Sequence, residues 1–289
     1  MGPDGSGVLP FRTVGIVGVG LIGGSLGLAI RERNLARRVV GIGRRQSSLD
    51  RAVAVGAIDE ATLDITAGLA DSELTILATP VGVMEELAAA AVAAMPRGGF
   101  LTDVGSTKAQ LVRVLEHVAG DQCRYVGAHP MAGSEKRGVD EARAGLFDGT
   151  LCFITPTTHS DPMATRAITE FWQRLGTRVR VISPAEHDRL VAFASHLPHL
   201  AAAAIVNVVP GDALGCAGGG FRDTTRVASG DPRMWADVCL QNRDRILEAL
   251  GNFSNEVRTL RDILSDGDEH ELLAWLEGAK AIRDHYVAP

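Results

Sequence analysis

TVGIVGVGLIGGSLGLAIRERN, residues 13–34, is an apolar run, a glycine-rich turn and an amphipathic stretch in succession. The first segment predicts a buried strand and the last a helix. The turn, GVGLIG at 18–23, fits GxGxxG. In that pattern the first glycine makes a tight turn, the second lets the backbone approach a pyrophosphate, and the third allows close helix–strand packing. GxGxxG alone is a weak signal. At the first strand–helix junction of an alternating pattern it becomes a dinucleotide cradle formed by Gly18, Gly20, Leu21, Ile22 and Gly23.

Working outward, the alternation continues. RVVGIGR (38–44) predicts a second strand and LDRAVAVG (49–56) a short helix. LTILATP (74–80), GFLTDVG (99–105) and CRYVGAHP (123–130) predict further strands. VMEELAAAAVAAM (83–95) and KAQLVRVLEHV (108–118) are the helices between them. LCFITPT (151–157) and RVRVISP (178–184) predict two more strands around a helix at 163–175. Strand–helix repetition of this kind implies a parallel sheet covered by helices. From Ala185 onward only helical periodicity remains. The predicted architecture is an α/β Rossmann-type dinucleotide-binding domain at 1–184, followed by an all-α substrate and dimerisation domain at 185–289. The second part carries enough apolar surface to imply burial against a twin subunit.

Composition narrows the functional classes. With 46% hydrophobic and 22% charged residues, the 289-residue chain is ordinary for a soluble globular protein. A net charge of −6, no basic run and only 4% aromatics argue against nucleic acid as a partner. The four scattered cysteines show no zinc-ligand spacing and point to a reducing compartment. No leader-like segment is visible at the start, and the apolar run near 201–209 is too short to span a bilayer. A cytoplasmic protein without a membrane partner is expected.

The second strand bears on cofactor choice. An acidic residue there would bind the ribose hydroxyls of NAD. Gly43 stands at that place instead, followed by Arg44 and Arg45. Two guanidiniums suit a 2′-phosphate, which favours NADP while leaving NAD open. Three polar groups fall at predicted strand ends: Thr79-Pro80, the Asp103–Ser106 turn, and His129 in GAHPMAGSE (127–135). Ligands bind outside the carboxyl ends of such strands, so these groups are expected to share a pocket. Thr79, Pro80 and Asp103 are assigned to the cofactor side of that pocket. Ser106 also suits a helix N-cap, with Thr107 as the other candidate.

In the order GxGxxG, DVGSTK (103–108), GAHPMAGSE, SHLPH (195–199) and GGGFRDTTR (218–226), the chain resembles the prephenate/arogenate dehydrogenase family of tyrosine biosynthesis. The likeness covers nearly the whole chain. It implies oxidative decarboxylation of a cyclohexadienol, with hydride passing to NAD(P)+ and no metal required. It implies that His129 is the base and that Ser106 helps orient it. It places His199, His196 and Ser195 around the substrate, and Arg226 on a carboxylate. It also ties Glu135, Asp223 and Trp235 to a gate, with Glu135, Asp223 and Arg226 as an ion network. Pyrroline-carboxylate or 3-hydroxyacid dehydrogenases share the layout but lack HPMAGSE and SHLPH. A non-enzymatic NADP-sensing dimer would have lost the base or the arginine, and both are present.

Overall fold

In a computed structural model of the chain, residues 10–133 and 136–286 are described. Packing divides the chain into two compact units, Met1–Asn242 and Arg243–Pro289.

The first unit opens with β1 (Phe11–Val17), α1 (Leu21–Glu32), β2 (Ala36–Ile42), α2 (Gln46–Ala54) and β3 (Glu60–Thr62). It continues through α3 (Ile65–Leu69), β4 (Leu74–Leu77), α4 (Met84–Ala94), β5 (Phe100–Asp103), α5 (Ala109–Ala119) and β6 (Arg124–Tyr125). These six strands form one parallel sheet in the order β3-β2-β1-β4-β5-β6. The order reverses between β1 and β4, which opens a crevice at their carboxyl ends. Two apolar layers flank the sheet. One includes Leu26 and Ile30 of α1 with Phe147, Phe171 and Trp172, and the other Met84 and Ala88 of α4 with Leu111 and Leu115 of α5. Burying each large side chain contributes about 1.5–3 kcal/mol, so both helical layers are held mainly by this contact.

CRYVGAHP departs from its predicted single strand. Its first half is β6, and its second half is β7 (Gly127–Pro130), which leaves the main sheet. β7 pairs antiparallel with β8 (Leu151–Thr155), and β8 pairs parallel with β9 (Arg178–Val181) across α6 (Pro162–Arg174). Periodicity could not show this, because a buried strand looks the same whichever sheet receives it. The break carries His129 onto a separate three-stranded sheet whose first strand lies against β5.

After β9 every described element is helical. α7 (Pro184–Val191) passes through a π-helical turn at Ala192–His196 into α8 (Leu197–Val208). The apolar run is therefore longer than expected. The continuous helix Pro184–Val208 has 25 residues and, by length and composition alone, could cross a membrane. Its first turns, however, carry Glu186, His187, Asp188 and Arg189 and pack on α5. The π turn accommodates Pro198, which lacks an N–H and crowds the carbonyl four residues back.

α9 (Gly211–Leu214), α10 (Gly219–Thr225) and α11 (Pro232–Gln241) complete the first unit. Residues 218–235, rich in glycine, are mostly α10, a 3-10 turn at Arg226–Ser229 and the start of α11. The second unit is a pair of helices, α12 (Arg243–Asp266) and α13 (Glu269–Tyr286). It exposes Leu247, Val257, Leu264, Leu273, Leu276 and Ile282.

Candidate active site

The glycine turn has the geometry its sequence implies. Gly18 holds a φ of +98°, where side chains are strained. A Cβ on Gly23 would lie 2.0 Å from the Gly18 carbonyl oxygen. A Cβ on Gly20 would meet nothing within 4 Å. Gly20 is the N-cap of α1, which has no side-chain cap and no acid in its first turn. The amides of Leu21, Ile22 and Gly23 thus begin a helix whose positive end is left for an anion. Thr79 packs beside this turn, with its methyl 2.7 Å from where a Gly18 Cβ would stand, and its buried hydroxyl has no partner among the described residues. Pro80 follows, exposed at the strand end. Arg44 and Arg45 are exposed past β2, and among the described residues no ion pair holds either. These features fit a dinucleotide along the β1–β4 crevice.

The DVGSTK turn is organised differently from its sequence reading. The Asp103 side chain is fully buried. It accepts hydrogen bonds from Tyr125 Oη (2.8 Å) and the Gly105 amide (2.7 Å), and it pairs with buried Lys108 Nζ. A carboxylate so engaged holds its loop in place. Neither Ser106 nor Thr107 caps α5. The N-cap is Lys108, and the cap comes from Asp188 on α7, whose carboxylate accepts from the amides of Lys108 (2.7 Å) and Ala109 (2.8 Å). Thr107 instead donates to Gln241 Oε1 at 2.6 Å. Ser106 is half-buried and its hydroxyl makes no hydrogen bond among the described residues.

His129, on β7, lies opposite Phe153 of β8. Its Nδ1 is 2.8 Å from Nε2 of His187, and His187 Nδ1 is 2.8 Å from Asp188 Oδ1. The His187 ring sits edge-on between His129 (centroids 5.0 Å apart) and Phe153 (5.2 Å). Burial, with positive Lys108 nearby, pushes the His129 pKa well below the usual 6.5, so its imidazole is neutral at physiological pH. Burial also lowers His187, against the opposing pull of Asp188.

The SHLPH residues follow from the π turn. His196 is buried, and burial pushes its pKa down to about 4 despite Asp188. Asn242 Nδ2 donates to the Asp188 carbonyl at 2.9 Å and lies 3.2 Å from His196 Nδ1. His199 stacks on Trp235 with ring centroids 3.5 Å apart and an interplanar angle of 12°. Gly230 seats against both rings, since a Cβ there would approach Trp235 Nε1 to 2.6 Å and His199 Cε1 to 2.9 Å. Burial lowers the His199 pKa as well. Ser195 is half-buried.

The gate expected from the resemblance is only partly visible. Glu135 lies outside the described residues. Asp223 and Arg226 are both exposed and form no ion pair with each other, one helical turn apart though they are. A different contact joins the segment after β7 to the head of α11: Arg137 reaches Asp231 at 2.8 Å, and Asp231 also caps α11 through the Arg233 amide.

Sequence reasoning missed His187, Asp188, Lys108 and Asn242. HD within PAEHDRL reads as the polar face of an ordinary helix, and nothing local reveals that α7 turns that face into the sheet edge.

Known proteins resemble this chain over nearly its whole length. The nucleotide-binding domain model of prephenate dehydrogenase matches residues 26–181, and its dimerisation domain model matches 183–278. A prephenate dehydrogenase of Bacillus subtilis (strain 168) is 34% identical over 94% of this chain and 75% of its own length. Among solved structures, Aquifex aeolicus prephenate dehydrogenase in complex with hydroxyphenyl propionate and NAD+ superimposes with a TM-score of 0.90 at 32% identity, covering 96% of this chain and 99% of that one. Synechocystis arogenate dehydrogenase gives 0.82 at 29% identity, over 95% of this chain and 100% of the other. With both domain models matched in order and a buried imidazole at the sheet edge, this chain belongs to the prephenate dehydrogenase family.

Proposed function

We propose that the protein oxidatively decarboxylates prephenate, arogenate or both, transferring hydride to NAD(P)+ in tyrosine biosynthesis. The observation that carries this is His129. Its imidazole is neutral, is bonded through Nδ1 to His187, and ends a strand lying against the one that leads into the DVGSTK turn. A neutral imidazole with a free Nε2 can take the proton of the substrate hydroxyl. A nicotinamide dinucleotide held at the Gly18–Gly23 turn would supply the acceptor for the hydride leaving the carbon that bears this hydroxyl. The ketone so formed is vinylogous to the ring carboxylate, so carbon dioxide leaves and the ring becomes aromatic.

The remaining roles follow the family assignment. Ser106 helps orient the hydroxyl, Arg226 holds a carboxylate, and His199, His196 and Ser195 line the substrate side. Glu135 and Asp223 belong to its gate. Exposed Arg44 and Arg45 beyond a β2 end that lacks an acid support NADP over NAD. The domain division at 184/185, a homodimer joined through the C-terminal helices, a cytoplasmic location and independence of metals complete the proposal. The exposed apolar side chains of α12 and α13 support the dimer.

The test is to offer prephenate and arogenate, each with NAD+ and with NADP+, and follow the absorbance of reduced nicotinamide. Turnover with at least one pair is expected, faster with NADP+. Silence in all four mixtures from folded protein would overturn the activity, and a preference for NAD+ would overturn the role given to the arginines.

A further inference from the structure

His187, outside every motif quoted above, touches His129, and Asp188 touches His187 in turn. We infer that His187 and Asp188 form a positioning pair that sets the tautomer of His129, so that its Nδ1 carries the proton and its Nε2 keeps the lone pair. The inference rests on the assignment of His129 as the base, and it adds the device that makes that base competent.

A carboxylate only accepts, so the 2.8 Å contact between Asp188 Oδ1 and His187 Nδ1 requires a proton on that nitrogen. Neutral His187 then has a bare Nε2. That nitrogen lies 2.8 Å from His129 Nδ1 and can only accept, so His129 Nδ1 must donate. Neutral His129 is left with an unprotonated Nε2, which takes no hydrogen bond from any described residue. The opposite tautomer would place two lone pairs face to face in a buried site.

The pair is held from several sides. Asp188 is fixed by the amides of Lys108 and Ala109 at the positive end of α5 and, through its own backbone carbonyl, by Asn242. The His187 ring is clamped between Phe153 and His129. Lys108, paired with Asp103, stands close enough to oppose a proton on either imidazole, and His196 adds to that opposition at His129. Were His187 protonated, both its nitrogens would donate. His129 Nδ1 would then accept, and the base would present an N–H to the substrate.

The experiment reads the tautomer directly. Full-length protein with 15N-labelled histidine is examined by long-range 1H–15N correlation near neutral pH, with His129→Asn used to assign the ring. The expected wild-type spectrum shows His129 protonated at Nδ1 and bare at Nε2. A bare Nδ1 overturns the inference without any variant and without any measurement of turnover. In His187→Phe, which keeps the ring packing, His129 is expected to lose its single tautomer. kcat should fall about ten- to a hundredfold with KM little changed, within what loss of a general base costs. His187→Gln, whose amide oxygen can accept from His129 Nδ1, is expected to recover much of the loss. A His187→Phe protein with an unchanged tautomer and near-normal kcat, or a His187→Gln protein no better than His187→Phe, would reduce His187 to packing. Because the tautomer is read apart from catalysis, a correct tautomer in a protein inactive on all four substrate–cofactor pairs would fault the proposed function and not this inference.

Discussion

Lys108 illustrates how much of this site is built from charges withdrawn from water. Its ammonium and the Asp103 carboxylate are both fully buried, and Tyr125 and the Gly105 amide also donate to Asp103. Such a pair adds little net stability over apolar residues of the same shape, but removing one member strands the other. Lys108→Met should therefore cost about 3–5 kcal/mol in urea unfolding. A loss below about 1 kcal/mol would mean that the Asp103 charge is relieved in another way. The same geometry explains why burial raises the Tyr125 pKa, further opposed to ionisation by the Asp103 charge it faces. At this scale the residue types were legible in DVGSTK and HPMAGSE, but their partners were not. Asp103 was assigned to the cofactor because it ends a strand. Its burial against Lys108 and Tyr125 depends on where β6 and α5 lie.

At the scale of elements, the glycine turn opens α1 and the π turn joins α7 to α8. GVGLIG was readable because each glycine answers a local steric demand within six residues. Those demands can be separated experimentally. Gly20→Ala meets open space in the free protein and should leave the melting temperature nearly unchanged while weakening dinucleotide binding, as read by titration of reduced-cofactor fluorescence. Gly23→Ala collides with the Gly18 carbonyl and should lower the melting temperature as well. Equal melting temperatures for both variants would contradict this division of roles. The π turn at Ala192–His196 was not readable, because it depends on how a proline is absorbed inside a packed helix. The split of CRYVGAHP between two sheets was likewise hidden. Strand propensity records burial and branching but not which neighbour the strand will find.

Across the whole molecule, four histidines are held with their pKa values pushed down by burial, His196 to about 4. In the unfolded chain each titrates near 6.5. Below that pH the unfolded chain binds protons that the folded protein refuses, so stability must fall with acidification. For His196 the loss spans from about 6.5 down to about 4. The urea midpoint should be level above pH 7 and decline steadily below pH 6.5, and a midpoint unchanged down to pH 5 would show that these rings are solvated in the folded state. The sequence alone determined that a dinucleotide cradle precedes a helical region, that His129 ends a strand, and that the chain resembles one family of dehydrogenases. Such features are local: a few neighbouring residues set a turn, a period or a motif. Only the tertiary structure decided that β7 leaves the main sheet, that Asp188 caps a helix distant in sequence, and that His187 stands between Asp188 and His129. Hydrogen bonds between elements far apart in sequence exist only after apolar packing has set those elements in place, and no spacing along the chain records them.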